Sequence, residues 1–515
     1  MGSGWSRKHL RDACDASRRA LGVDVIDRYQ LHVVDPKTAI ETSVRALEKL
    51  QSEGKVRDIG LCNVTVNQIA AAREIASIAS VQISLSPFDD ENLRNGVAEY
   101  CRDNRIELIA YRPLGGDRAK QLAKNQIVAR IATKYSASPA EIVLAWLTSF
   151  HAEVVPIPGP TTVEHAASAG RAVSLSLDDG DREMLDAAFC GRLLRRSRAE
   201  RRSRVAKDAD VAVVMGMPGA GKTSLARELE ADGYARLNRD TLGGSLADLA
   251  PKLGALLEAG RKHVVLDNTY PTRASRNEII ETAWECGAPV RCVWLQTDVP
   301  NAQINSIHRM LEAHGSLPSP EIIRERGKAD ARYLLPDSQF RYERTLEPPT
   351  IDEGFDSVEA RVFIREPSGS ARGAIIFDFD QLVANAASHR DSLKRYAADG
   401  WRIFAHAWRP KVARNQSSIA DVESSFAAFR ESAGVDVDIA CCPHDAGPPI
   451  CWCRKPIPGS VVEFAVRRGV ALEKSIVVGS SAADRTMAER VGATFESCDA
   501  FWSVPRADHQ DGVNE

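Results

Sequence analysis

The segment Gly216-Met-Pro-Gly-Ala-Gly-Lys222-Thr223 constrains this chain more than any other stretch. It follows the apolar run VAVVMG from Val211 and opens into SLARELEADG, which carries helical spacing. A Gly-rich loop between a strand and a helix turns successive backbone N–H groups inward around phosphate oxygens, and the helix adds its positive N-terminal end. Gly216, Gly219, Ala220, Gly221, Lys222, Thr223 and Ser224 are therefore the candidate nucleotide-binding residues. In such a loop the Lys222 ammonium neutralises the β and γ phosphates of ATP and the Thr223 hydroxyl ligates Mg²⁺. The surrounding chain is expected to form a doubly wound parallel sheet whose strand ends converge on the nucleotide.

A P-loop fixes the nucleotide and leaves the acceptor open. ARLNRDTLG places Asn238, Arg239 and Asp240 at the end of a short strand, and HVVLDNTYPTRASR places Asp267, Asn268 and Thr269 at the end of another. A carboxylate there can take the proton of an attacking hydroxyl, and Asp240 is the candidate base. Asp267 serves either the acceptor or the Mg²⁺ water shell. Arg276, in the basic helix start that follows, is a candidate contact to an acceptor phosphate.

Three blocks separate along the 515 residues, a length that suits several domains. Residues 1–190 alternate strand-like runs (VDVIDRYQLH, VRDIGLC, SVQISL, IELIAY, VVPIPG) with helical stretches, the signature of a parallel sheet or barrel. A linker over 191–209 holds seven arginines between Arg192 and Lys207. It reads as a solvated linker or as a phosphate-attracting arm. The P-loop domain spans 210–366. After the Pro/Gly/Ser-rich joint EPSGSARG, a third block over 371–505 opens on AIIFDFD and again alternates strand and helix.

In that third block Asp378 and Asp380 stand at i and i+2 after an apolar strand. One carboxylate can attack phosphorus while the other handles the leaving group's proton, with Lys455 and Asp484 completing the set and Asp378 and Asp484 supporting Mg²⁺. Four of the eleven cysteines crowd between Cys441 and Cys453, a clustering that suggests a metal in a reducing, cytoplasmic setting rather than a disulfide scaffold. Cys442, His444, Cys451 and Cys453 offer a Cys₃His set of the kind that holds structural Zn²⁺, with Cys441 as a rival ligand. The net charge of −3 carries no global signal for nucleic acid, and no apolar run approaches the roughly 18–20 residues of a membrane span, so no membrane partner is expected.

GMPGAGKTS, LNRDT, LDNTYPTRASR and RYERTLEPPTIDEGF together resemble the kinase domain of polynucleotide 5′-kinases. The resemblance implies an ATP-dependent transfer to nucleic-acid 5′-hydroxyl ends, with Asp240 as base, Arg239 and the Asp267–Thr269 segment beside the acceptor, and a lid arginine for which Arg309 is the candidate. Where some members carry an acceptor-binding Arg after NRD, this chain has Gly243–Gly244. A kinase of similar build acting on a small-molecule alcohol is the alternative reading.

The third block resembles the haloacid-dehalogenase phosphatases, including the phosphatase half of polynucleotide kinase/phosphatases. That likeness implies a 3′-phosphatase working beside the kinase to prepare ends for a ligase. It departs from the family pattern at Gln381 and Leu382, at Ala407 and at Ser480, which leaves an active phosphatase and a slow or lost one equally open. The first block resembles the later half of an aldo-keto reductase barrel. His32 matches the family's active-site histidine, and Asn63 and Gln82 match its nicotinamide contacts. The match begins just before the family's fourth strand, so the chain is expected to lack the family's catalytic Tyr, Lys and Asp, and reductase chemistry is not expected. Five strands of an eight-stranded barrel leave open edges, which predicts packing on the kinase, pairing with a second copy, or a longer gene product. The expected architecture is α/β throughout: a partial TIM-barrel-like segment, a P-loop kinase sheet, then a Rossmann-like phosphatase domain with a zinc loop.

Overall fold

The computed structural model describes residues 7–150, 154–189, 191–202, 205, 208–370, 372–447 and 451–503. Arg204 and Lys207 of the basic run, and the last two residues of the expected third domain, lie outside the described residues. Three five-stranded parallel sheets follow one another along the chain.

The first sheet runs in sequence order through β1 (Ile26–Leu31), β2 (Val56–Cys62), β3 (Ile78–Ser84), β4 (Glu107–Tyr111) and β5 (Val154–Ile157). All five expected strands are present. Their outward residues, among them Ile59, Val81, Ile83 and Leu108, are buried under helices together with Trp146. The alternate face carries Gln30, Cys62, Ser80 and Gln82, as period-2 geometry demands. At Gly60 that face has no room: a Cβ would stand 2.6 Å from Ser80 Oγ. Among the described residues β1 pairs with β2 alone and β5 with β4 alone, so both edges of the arc are open.

The second sheet has the order β10-β9-β6-β8-β7, with β6 (Asp210–Met215), β7 (Ala235–Leu237), β8 (His263–Asp267), β9 (Val290–Gln296) and β10 (Ser357–Val362). Val211–Met215 in the central strand are fully buried, the continuous apolar run that a strand covered on both faces requires. The third sheet has the order β13-β12-β11-β14-β15, with β11 (Ala374–Asp378), β12 (Arg402–Trp408), β13 (Val437–Cys442), β14 (Ile476–Gly479) and β15 (Thr494–Ser497). Its strand order reverses between β11 and β14, so Asp378 and the segment after Gly479 face one crevice.

Over its described residues the basic run is held by carboxylates of both neighbouring units. It folds into short helices, Arg192–Arg195 and Arg198–Arg202, wedged between the first two sheets. Arg201, only 6 % exposed, reaches Glu281 of the Arg273–Glu285 helix at 2.9 Å and Glu99 of the Val97–Asp103 helix at 3.3 Å. Arg198 binds Glu99 at 2.6 Å, Arg195 grips Asp186, and Arg202 reaches Asp356. Carboxylates absorb these charges because the run crosses a contact between two packed units, where an unpaired guanidinium would be costly to bury. Arg94 adds a bridge to Glu278 at 2.9 Å, so the first block does pack on the P-loop domain.

Candidate functional site

The P-loop takes the conformation its glycines permit. Gly219 has φ +93° and Gly221 has φ +92°, left-handed values that favour glycine. The first is also a close approach: a Cβ on Gly219 would stand 2.4 Å from the Ala302 carbonyl. The loop feeds the Lys222–Ala231 helix, whose N-terminus therefore points at the same place. Lys222 Nζ bends back to the carbonyls of Gly216 and Met217 at 2.8 and 2.9 Å. Burial, aided by the Arg309 charge, pushes its ammonium down to about 7.

Thr223 and Asp267 meet across the loop. The Thr223 hydroxyl donates to Asp267 Oδ2 at 3.3 Å, and Arg236 of β7 holds the same carboxylate with two bonds of 3.0 and 2.8 Å. The Asp267 side chain has no exposure. A hydroxyl beside a fixed carboxylate fits the Mg²⁺ side of the site better than the acceptor side. Arg236 was not legible as a functional residue, because a strand arginine carries no motif.

Asp240 is different. It opens the short Arg239–Leu242 helix after β7 and is 42 % exposed, with Arg239 as its partner at 2.8 Å. Its charge is felt at both Lys222 and Arg309. Asn238 supports this turn, donating to the Asp267 carbonyl at 2.6 Å and accepting from the Thr241 N–H. Asn268 is buried, and its Oδ1 accepts the Arg239 N–H at 3.0 Å, so it braces the two strand ends. Thr269 is half-buried beside it. Arg309 lies on the Val299–His314 helix, half-buried against the loop, with burial pulling its guanidinium down.

The expectation for Arg276 is corrected. Its side chain is fully buried and forms a two-bond ion pair with Glu353, both bonds 2.6 Å, while Nη1 donates to the Tyr270 carbonyl. No phosphate can reach it. A local sequence window shows a basic helix start but not a partner 77 residues away.

In the third sheet Lys455 Nζ lies 2.7 Å from Asp378 Oδ2 and also binds Asp484. Burial raises the Asp484 carboxyl, but Lys455 and Ser481 outweigh it and hold it below its ordinary range. Asp380 is turned outward to Arg409, with bonds of 2.7 and 3.0 Å. Leu382 fills the core and Ala407 is buried at the end of β12, so neither offers a polar group to the crevice. His406, which sequence reading missed, donates from Nε2 to the Cys453 carbonyl at 2.6 Å and is pushed down to about 4, chiefly by burial.

Cys442, His444, Cys451 and Cys453 converge, their donor atoms all within 4.8 Å of one another. Cys442 Sγ lies 3.9 Å from Cys451 Sγ, and Cys453 Sγ lies 3.3 Å from His444 Nδ1. Cys441 is outside the group. Three soft sulfurs and one imidazole at this spacing fit a tetrahedral zinc ion.

In the first block His32 is exposed at the end of β1. Asn63, at φ +54°, donates to the His32 carbonyl at 3.3 Å and accepts from the Tyr111 hydroxyl at 3.0 Å. The Asn63 N–H bonds the Gln82 carbonyl, so the three expected residues do gather at one end of the arc.

Comparison with known proteins supports two of the three units. Residues 1–189 match the aldo/keto reductase family model, and residues 211–316 match an AAA domain model. The first segment is 30 % identical over 201 residues to the aldo-keto reductase yakc [NADP(+)] of Schizosaccharomyces pombe, covering 33 % of this chain and 59 % of that protein. It is 32 % identical over 214 residues to the probable aldo-keto reductase 1 of Glycine max, covering 36 % and 62 %. The chain thus spans about three fifths of the length of the curated relatives it matches. A solved aldo-keto reductase from a Medee basin deep-sea metagenome library is 29 % identical, covering 37 % of this chain and 69 % of that one, with a TM-score of 0.34. The chain is thus similar to aldo-keto reductases over residues 1–189, and over residues 211–316 it matches an AAA domain model that includes the P-loop. Among the described residues no helix is long and apolar enough to cross a membrane.

Proposed function

We propose that residues 210–366 form an ATP- and Mg²⁺-dependent kinase that phosphorylates 5′-hydroxyl ends of nucleic acid. The carrying observation is Asp240: an exposed carboxylate on a strand-end turn, within electrostatic reach of both the P-loop lysine and the helix arginine. Lys222 and the loop N–H groups hold the triphosphate, while Thr223, with Asp267 behind it, would hold Mg²⁺. The cation supplies charge neutralisation between the phosphates. The acceptor hydroxyl gives its proton to Asp240 as its oxygen attacks the γ phosphorus, the bond to the β–γ bridging oxygen breaks, and ADP leaves. Arg309 neutralises the charge on the moving phosphoryl. Positioning and charge carry most of the rate.

The third domain is, on this reading, a phosphatase-like partner weakened in its chemistry. Asp378 retains its lysine, but Arg409 holds Asp380 away from proton transfer and Ala407 offers no hydroxyl to a phosphoryl group. The reductase-like segment serves as a packed support rather than a reductase. The test is transfer of labelled phosphate from ATP to 5′-hydroxyl RNA, 5′-hydroxyl DNA and a panel of sugars. Label on the oligonucleotides supports the reading. Label on a sugar alone replaces it with a small-molecule alcohol kinase.

A further inference from the structure

The Val299–His314 helix has two occupied faces. Ala302, Asn305, Ser306 and Arg309 look toward the P-loop: Asn305 Nδ2 donates to the Gly219 carbonyl at 2.9 Å, and Gln339 Nε2 bridges the Pro218 carbonyl at 2.9 Å to Ser306 Oγ at 3.1 Å. The opposite face, Ile304, Ile307 and Met310, joins a hydrophobic cluster that also contains Trp452, Ile457 and Val462 of the third domain. Spacings of three and four residues put each set on its own side of one helix. A shift of the helix by even a fraction of an ångström would therefore be felt at Gly219, where the Ala302 carbonyl already fills the space of a side chain.

Trp452 is the hinge pin of the second contact. It is 1 % exposed, and its indole Nε1 donates to the Leu334 carbonyl at 2.7 Å, inside the kinase domain. Its chain neighbours are Cys451 and Cys453, two members of the Cys₃His cluster. The direction of the indole is thus set by a backbone that a bound zinc ion would clamp on either side. The Leu317 N–H bonds Glu463 at 3.1 Å, a second tie just beyond the same helix.

We propose that Trp452 is a positioning residue for the nucleotide site, so that metal occupancy of the Cys442–His444–Cys451–Cys453 cluster sets how the Val299–His314 helix seats on the P-loop. This rests on reading residues 210–366 as a P-loop kinase and not on the identity of its acceptor. Coupling between two sites is reciprocal. Zinc should tighten MgATP binding, and a non-hydrolysable MgATP analogue should slow zinc release by the same factor, about tenfold for an ordinary allosteric coupling.

The experiment uses the full chain, loaded with zinc or stripped of it and kept reduced. Analogue affinity is measured by calorimetry, zinc release with a chromophoric chelator, and backbone hydrogen exchange over residues 303–311 by mass spectrometry. The expected result is weaker analogue binding and faster exchange in the stripped protein, with slower zinc release when the analogue is bound. Trp452→Ala, which keeps all four ligands, should retain zinc yet lose the mutual effect, and Trp452→Phe should restore much of it. Equal affinity and equal exchange with and without zinc overturn the proposal, and these wild-type readouts decide it even should the alanine variant fail to fold. Binding without oligonucleotide labelling overturns only the acceptor assignment. No analogue binding in either metal state overturns the P-loop reading and this inference together.

Discussion

Arg276 and Glu353 form a two-bond ion pair in which neither side chain has more than 3 % exposure, tying the Arg273–Glu285 helix to the turn at Ile351–Glu353. Breaking a buried pair from one side leaves the other charge uncompensated, which costs about 3–5 kcal/mol. Arg276→Met should therefore lower the melting temperature of the P-loop domain by several degrees. Acceptor preference in the soluble fraction should stay as in the wild type. A folded variant that loses phosphate-bearing acceptors selectively would restore Arg276 as a ligand.

Asp240→Asn removes the proposed base but keeps the size of the side chain. Phosphoryl transfer should fall by about 100- to 10,000-fold, the usual weight of a general base. Binding of a MgATP analogue should change little. Single-turnover labelling with saturating ATP separates the two effects.

Lys222 titrates near 7 in the free protein, well below its ordinary value, because burial disfavours the ammonium. A bound triphosphate favours that ammonium again. Between pH 7 and 10 nucleotide binding should consequently take up a proton, and at pH 6, where Lys222 is already charged, it should not. Calorimetry in two buffers of different ionisation enthalpy measures the uptake at each pH. Lys222→Met should abolish it.

Lys455 keeps two carboxylates apart. In the wild type Asp484 is held below its ordinary value, so its contribution to stability is present above about pH 4 and lost as pH falls through the folded value. Lys455→Met should move the carboxyl upward, because burial is then opposed by the Ser481 hydrogen bonds alone. Chemical denaturation should show a loss of about 3 kcal/mol or more at pH 7. The gap should narrow as the buffer approaches pH 4.

Arg201 tests the joint between the first two units. Arg201→Ser should make the 191–209 segment more open to proteolysis. The salt dependence of oligonucleotide binding should remain unchanged, since this guanidinium faces Glu281 and Glu99 rather than solvent. A shallower salt slope in the variant would mean that the arginine does contact phosphate.

Most of the architecture was legible in local sequence, because its signals are local. Apolar runs such as VAVVMG and AIIFD became the central strands, and the Gly219 and Gly221 pattern produced the left-handed turns it requires. The Cys-Pro-His and Cys-Trp-Cys groups met as their spacing suggested. What stayed hidden depends on distant partners. Nothing near Arg276 announces Glu353, and nothing near Trp452 announces Leu334, 118 residues earlier. The basic run looked like a solvent-facing stretch because its balancing acids lie at Glu99, Asp186, Glu281 and Asp356, in four separate parts of the chain. Asp267 was ambiguous until Arg236 fixed its direction.

The Glu99–Arg201–Glu281 bridge bears on descent as well as stability. One cation serves acids from two units that match different family models, so a change at one of those positions is felt by both. A lineage that replaces Glu99 should be found to have altered Arg201 or Glu281 too, and the fusion should be inherited as a single piece instead of being reshuffled.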